Sequence, residues 1–223
     1  MAFSYHKGNE SYAVKGGCID VRYVVLGPIA NNTYLIDDGE GGVIVVDPSA
    51  KPQAILDACK GSKISAYFVT HCHWDHVGAL AALAEQAPAP VYCGRIDAPL
   101  VERGQRAYGM EIAGCPVSNR LEDGESFQVG GVTWKAILTP GHTPGGMCYL
   151  ATHGTHPGAP VLLSGDTLFC GSIGRTDFEG GSMKSMRSSL RKLGKLSDKT
   201  IVLPGHNDVT SIGNERRRVL EAF

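Results

Sequence analysis

The chain has no run of about 20 apolar residues that could cross a bilayer, no excess of basic charge and no Cys-x-x-Cys pair. Each absence excludes something. Lys and Arg total 21 against 22 Asp and Glu, a net charge of −1, so nothing marks a nucleic-acid backbone as a partner. The seven cysteines, Cys18, Cys59, Cys72, Cys93, Cys115, Cys148 and Cys170, are odd in number and unpatterned. That argues against a disulfide framework and for a reducing compartment. Residues 1–17 hold no apolar stretch and do not read as a secretory signal. The expectation is a cytoplasmic protein with neither a nucleic-acid nor a membrane partner. Repeats, low-complexity tracts and linkers are also lacking, because the 29 Gly and 12 Pro are dispersed. With 223 residues, 43% hydrophobic and 19% charged, one domain over 1–223 is expected, residues 1–17 being an N-terminal extension or first strand.

What is present is a chain of short β-branched runs punctuated by turn residues. Val21–Leu26, Thr33–Asp37 and Val43–Asp47 read as consecutive strands. Pro52 opens a helix that ends near Gly61. Ile64–Thr70 is a further strand, Val77–Gln86 an Ala/Leu-rich helix and Val91–Cys93 a brief strand. Residues 94–123 carry no periodicity. Ser126–Gly130 and Val132–Leu138 form a hairpin, followed by strands Met147–Ala151 and Val161–Ser164. Met183–Leu193 has helical spacing, Ile201–Leu203 is a last strand and Asn214–Phe223 a terminal helix. Strands as a block, then alternation with helices, twice over, suit an α/β fold of two sheets packed face to face with helices outside.

The chemistry concentrates in Thr70-His71-Cys72-His73-Trp74-Asp75-His76. His71 emerges where an apolar strand ends, and His71 and His73 can face one side of an extended segment. Asp75 and His76 fall at the mouth of the next helix. Crowding imidazoles and a carboxylate this closely is unfavourable unless a cation compensates, and these are the ligand types a borderline divalent ion prefers. Cys72, alternating with the two histidines, should point away into packing.

Three more candidates share one context, a turn beside a short apolar run, each with Gly before the ligand. They are His142 in Thr139-Pro140-Gly141-His142, Asp166 in Ser164-Gly165-Asp166-Thr167 and His206 in Pro204-Gly205-His206. Taken singly, each reads more readily as a turn residue satisfying local backbone groups than as a ligand; beside the cluster that balance reverses. His6, His153 and His156 have no strand leading into them and read as exposed bystanders.

In that order, His-x-His-x-Asp-His, then His, Asp and His, the chain resembles the metallo-β-lactamase superfamily from roughly Asn31 to Arg217. The resemblance implies a four-layer αββα sandwich with two mixed sheets and metals at the sheet edges. It implies one metal held by His71, His73 and His142, a second held by Asp75, His76 and His206, and Asp166 bridging both. Two divalent ions are implied, zinc first, with iron or manganese as alternatives. Within the superfamily the chain is most similar to small glyoxalase II-like hydrolases. Thr139–Gly145, Ser164–Phe169, Gly171–Phe178 and Glu215-Arg216-Arg217 carry that likeness. The implied activity is metal-dependent hydrolysis of a small-molecule thioester or ester by activated water. Asp75 would orient that water, and Asp166 would set the metal spacing. Arg175 is a candidate for the substrate cleft, and Asp177 its structural ion-pair partner. The Arg216–Arg218 run reads as a solvated helix face.

The departures are specific. Only residues 207–223 follow His206, so the helical domain that holds glutathione in full-length glyoxalase II is not expected and glutathione recognition is not carried over. Asn207-Asp208 stand where those hydrolases commonly show Gly. Cys72 occupies a position where some persulfide dioxygenases of the superfamily also carry Cys. Those enzymes use a single iron at the equivalents of His71, His142 and Asp166, which makes a mononuclear iron dioxygenase the alternative. They often lack the Pro204-Gly205-His206 form, which favours the hydrolase. A superfamily nuclease would need a basic face that the balanced charge does not supply.

Overall fold

The computed structural model describes residues 11–223. In chain order the strands are β1 (Tyr12–Val14), β2 (Val21–Leu26), β3 (Asn31–Asp37), β4 (Gly42–Val46), β5 (Lys63–Val69), β6 (Val91–Gly94), β7 (Gln105–Ala107) and β8 (Met110–Ile112). They continue with β9 (Asn119–Leu121), β10 (Ser126–Val129), β11 (Val132–Leu138), β12 (Met147–His153), β13 (Val161–Gly165), β14 (Ile201–Pro204) and β15 (Thr210–Ser211). The helices are α1 (Pro52–Ala58), α2 (Trp74–Val77), α3 (Leu80–Gln86), α4 (Ala98–Arg103), α5 (Met183–Leu193) and α6 (Ile212–Glu215), the last running into a wide π turn over Arg216–Leu220. One sheet is ordered β1-β2-β3-β4-β5-β6-β9 and the other β10-β11-β12-β13-β14-β15, with β7-β8 a separate ribbon. Both sheets are mixed: β4-β5, β5-β6, β6-β9 and β13-β14 are parallel, and the remaining pairs antiparallel.

Alternation along the central strands sorts side chains into three apolar layers. Ile44 and Val46 of β4 face the inter-sheet core with Phe68, Trp134 and Tyr149. Val43 and Val45 face the other way, into the layer formed with α1 and α3 by Ile55 and Leu83. On the second sheet Leu162 lies under Met186, Leu190 and Leu193 of α5. Helix, sheet, sheet, helix is the αββα order expected from the sequence. Among the described residues no helix is long and apolar enough to cross a membrane, and all seven cysteines are free thiols, six of them buried.

Three local expectations change. The helix expected over Val77–Gln86 begins earlier, at Trp74, and breaks at Gly78 and Ala79. There the Ala79 N–H donates to the Pro48 carbonyl, 2.9 Å, and a side chain on Gly78 would collide with the Ser49 carbonyl. Tertiary contact with the β4–α1 loop overrides helical spacing. The terminal helix starts two residues early, at Ile212, with Ser211 capping the Asn214 N–H. Residues 94–123 hold α4, the β7–β8 hairpin and β9, elements too short to show periodicity. The N-terminal stretch contributes strand β1; residues 1–10, with His6, lie outside the described residues. His153 and His156 are exposed.

Candidate metal centre

Four of the seven sequence-nominated ligands sit beyond a strand's C-terminal end. His71 follows β5, His142 follows β11, Asp166 follows β13 and His206 follows β14, all on one rim of the sandwich. His73 precedes α2, which carries Asp75 and His76 within a single turn. All seven converge. Three groups, His71/His73/His142, His71/His76/Asp166 and Asp75/His76/His206, each gather their donor atoms within 4.8 Å. No other such group occurs among the described residues.

The separations are those of a coordination shell. His73 Nδ1 lies 2.8 Å from His142 Nε2. Asp75 Oδ2 lies 3.3 Å from His76 Nε2 and 3.2 Å from His206 Nε2. Asp166 stands between the two sets: Oδ1 is 3.3 Å from His76 Nε2, and Oδ2 is 3.4 Å from His142 Nε2 and 3.7 Å from His206 Nε2. Bonds of about 2.1 Å from imidazole or carboxylate to a tetrahedral ion put neighbouring ligands about 3.4 Å apart. His71 Nε2 and Asp166 Oδ1 are buried and make no hydrogen bond. Buried polar atoms left without a partner are rare, and a cation among these donors accounts for both. The residues fit a metal centre.

The loops reach this rim because glycine lets them. At Gly205 a Cβ would enter contact with Asp166 Oδ1 and His76 Cε1, inside the centre itself. Gly165 adopts φ +48° against Thr70, a conformation that favours glycine. Helix α5 holds the His142 loop, since the Ser189 hydroxyl donates to the Pro140 carbonyl at 2.7 Å. The Tyr149 hydroxyl, reaching across from the second sheet, donates to the Val69 carbonyl just before the cluster, also at 2.7 Å.

Two buried carboxylates not nominated from the sequence organise the ligands. Asp47, at the end of β4, accepts from the Thr70 N–H and hydroxyl at 2.8 and 2.7 Å and pairs with His76 Nδ1 at 2.9 Å. That bond turns His76 Nε2 toward the centre, as outer carboxylates do for metal-bound imidazoles. Asp97 accepts from the Cys72 N–H at 3.1 Å and the Thr143 hydroxyl at 2.8 Å, tying the His71–His73 loop to the His142 loop. Gln105 donates to the Cys72 carbonyl. The only sequence signal for Asp47 was an acid closing an apolar strand; nothing marked Asp97 or Gln105. The Cys72 side chain is buried in the helix-facing apolar layer, away from the ligands. Arg175 and Asp177 form an ion pair at 2.8 Å, and the Arg175 carbonyl accepts from His142 Nδ1 at 2.7 Å.

Electrostatically the two sets differ. Burial, reinforced by the surrounding imidazoles, pushes His71 well below the ordinary histidine range and lowers His73 to about 4. Both are neutral donors at pH 7. Burial also works against a charged His76, but Asp75, Asp166 and Asp47 prevail and raise it well above 6.5. His206 is raised too: the bond to Asp75 and the charge on Asp166 outweigh burial. Burial alone would raise Asp75 and Asp166; His76 foremost keeps both below the usual carboxylate range.

An αββα sandwich with a His/Asp centre on its rim defines a metalloenzyme scaffold, and the chain belongs to the metallo-beta-lactamase superfamily, whose pattern matches residues 26–206. Among its relatives, the probable metallo-hydrolase YqgX of Bacillus subtilis is 33% identical over 87% of this chain and 93% of its own. The hydroxyacylglutathione hydrolase GloC of Haemophilus influenzae is 28% identical over 89% and 96%. Among solved structures, the B3 metallo-beta-lactamase BLEG-1 superposes with TM-score 0.81 at 32% identity, covering 88% of this chain and 96% of that one. TTHA1623, solved in a di-iron-bound form, gives 0.76 at 37%, covering 88% and 97%. The protein is therefore an enzyme of a metallo-hydrolase superfamily that binds divalent metal.

Proposed function

We propose that the protein is a thioesterase of glyoxalase II-like type, hydrolysing a small thioester or ester at a two-metal centre within one domain. The observation that carries this reading is the position of Asp166 between two separate three-ligand sets, His71/His73/His142 and Asp75/His76/His206. A closed structural zinc site is complete with four ligands, whereas seven shared by two ions leave positions for water and substrate. Zinc suits these imidazoles and carboxylates, as do iron and manganese.

When bound, such ions supply the Lewis acidity that activates water and polarises a carbonyl. The chain's own groups do the rest. Asp75, held ionised, orients a water beside His76 and His206. Asp166 fixes the distance between the sets, and Asp47 holds His76 in the tautomer that offers Nε2. Arg175 lies over Phe178, whose ring packs on His73 and His142, and from there meets an anionic substrate group. No serine or cysteine nucleophile is needed: Cys72 is turned away and burial pushes its thiol up. Seven free thiols suit a reducing compartment, the cytoplasm.

The experiment is His73→Ala and Asp166→Ala, with metal content by elemental analysis and thioester hydrolysis read on the same samples. Both should fall together, by at least about a hundredfold in rate, the scale of lost positioning. Unchanged turnover in either variant refutes the assignment. One iron per chain with oxygen uptake on a glutathione persulfide replaces it with the dioxygenase reading.

A further inference from the structure

The β7–β8 hairpin turns through Tyr108 and Gly109, with Ala107 paired to Met110. Both turn residues have positive φ, 50° and 80°, a two-residue turn of the type that selects Asn-Gly or Asp-Gly. A tyrosine in the first position is unfavourable, because its Cβ crowds the neighbouring carbonyl. It is also 81% exposed, so burial does not compensate. Strain of this kind concentrates at functional sites.

The hairpin's place on the molecule gives the strain a purpose. Its base is fixed to the metal loop, where Gln105 donates to the Cys72 carbonyl between His71 and His73. At its tip, the Tyr108 ring meets Trp74, which directly follows His73, edge-on at 5.6 Å. Phe178 also packs on the cluster, 5.6 Å from the His73 ring and 5.9 Å from that of His142, with the Arg175 guanidinium 4.3 Å above it. Arg175 is raised mainly by Asp177, and Tyr108 is near enough to add to that effect. Trp74 with Tyr108, and Phe178 with Arg175, are thus two aromatic pairs tied to His73, the first through the chain and the second through its ring.

We propose that Tyr108 is the specificity-determining residue beside this centre, a platform for a flat apolar group, aromatic or unsaturated, on the substrate. The inference rests on the hydrolase reading only for the identity of the reacting bond. A ring stacked on Tyr108 would lie beside the centre while an anionic end meets Arg175.

The test uses zinc-loaded full-length protein and two non-hydrolysable thioethers, (benzylthio)acetate and (methylthio)acetate. Binding is read by quenching of Trp74, since Trp134 is fully buried in the core, and by calorimetry. Wild type should prefer the benzyl probe. Tyr108→Asn should reduce that preference about tenfold, the scale of one aromatic contact, while Tyr108→Phe keeps it within about twofold. Because asparagine suits the turn, the Tm of Tyr108→Asn should stay level or rise by about 1–3 °C. An unaltered preference in Tyr108→Asn, or no preference in wild type, overturns the proposal. So does a lower Tm in Tyr108→Asn that phenylalanine restores, because Tyr108 would then be a structural brace. Wild type that shows the preference yet hydrolyses no thioester refutes the thioesterase reading alone.

Discussion

The first sheet's half of the molecule delivers four of the seven candidate ligands from residues 71–76; the second sheet's half delivers three from residues 142, 166 and 206. The first half works by adjacency: a strand ends, the chain runs on for four residues, 70–73, and one helical turn presents Asp75 and His76 together. The second half works by approach. Three loops far apart in sequence come close enough only because Gly141, Gly165 and Gly205 leave room. Errors in the two halves should therefore have different consequences.

The largest effect is expected at Gly205. An added methyl would occupy space between Asp166 and His76, so Gly205→Ala should lower metal stoichiometry and reduce turnover by about a hundredfold or more. Elemental analysis and steady-state rates check this. Retained metal and rate would mean that the second half tolerates displacement after all.

Next comes the link that connects β4 to the cluster. Asp47→Asn removes the charge that orients His76 and should weaken metal binding by about 10–100-fold, measured by competition with a chelator. A proton readout sharpens the same contrast. Because His76 is raised well above the ordinary histidine range and His206 is raised too, they hold more proton at pH 7 than free imidazoles, and a metal would have to displace it. Loading at pH 7 should therefore release protons, and affinity should fall as pH drops. His71, lowered well below its ordinary range, and His73, lowered to about 4, add nothing to that release near neutral pH. Release is measurable with an indicator dye in weak buffer and should shrink in Asp47→Asn, whose His76 loses one of its stabilising charges.

The smallest effect is expected inside the cluster. Cys72 lies between two ligands in sequence but points into the helix-facing core. Cys72→Ala should leave metal stoichiometry unchanged and cost about 1 kcal/mol of stability from lost packing, read as a lower urea midpoint. Loss of metal instead would make Cys72 part of the centre.

Much of this centre was legible in the chain. The 71–76 cluster could be read because strand and helix periodicities set its side-chain directions locally. His142, Asp166 and His206 were found by a shared context, a Gly-preceded polar residue beside an apolar run, with family likeness giving their order. Asp97 and Gln105 were not found, since they come from residues 94–123, where elements of three to six residues carry no period. The break at Gly78 was missed for a related reason: the Ser49 backbone that enforces it is distant in sequence.

By itself, then, the sequence determined the layers and the identity of the candidate ligands, because alternation of apolar residues and the chemistry of imidazole and carboxylate are properties of short stretches. Only the tertiary structure decided which ligands share a face, which buried acid aims which histidine, and that a strained tyrosine stands beside the opening. Those depend on backbones meeting across two sheets, where a single methyl group is enough to exclude an arrangement.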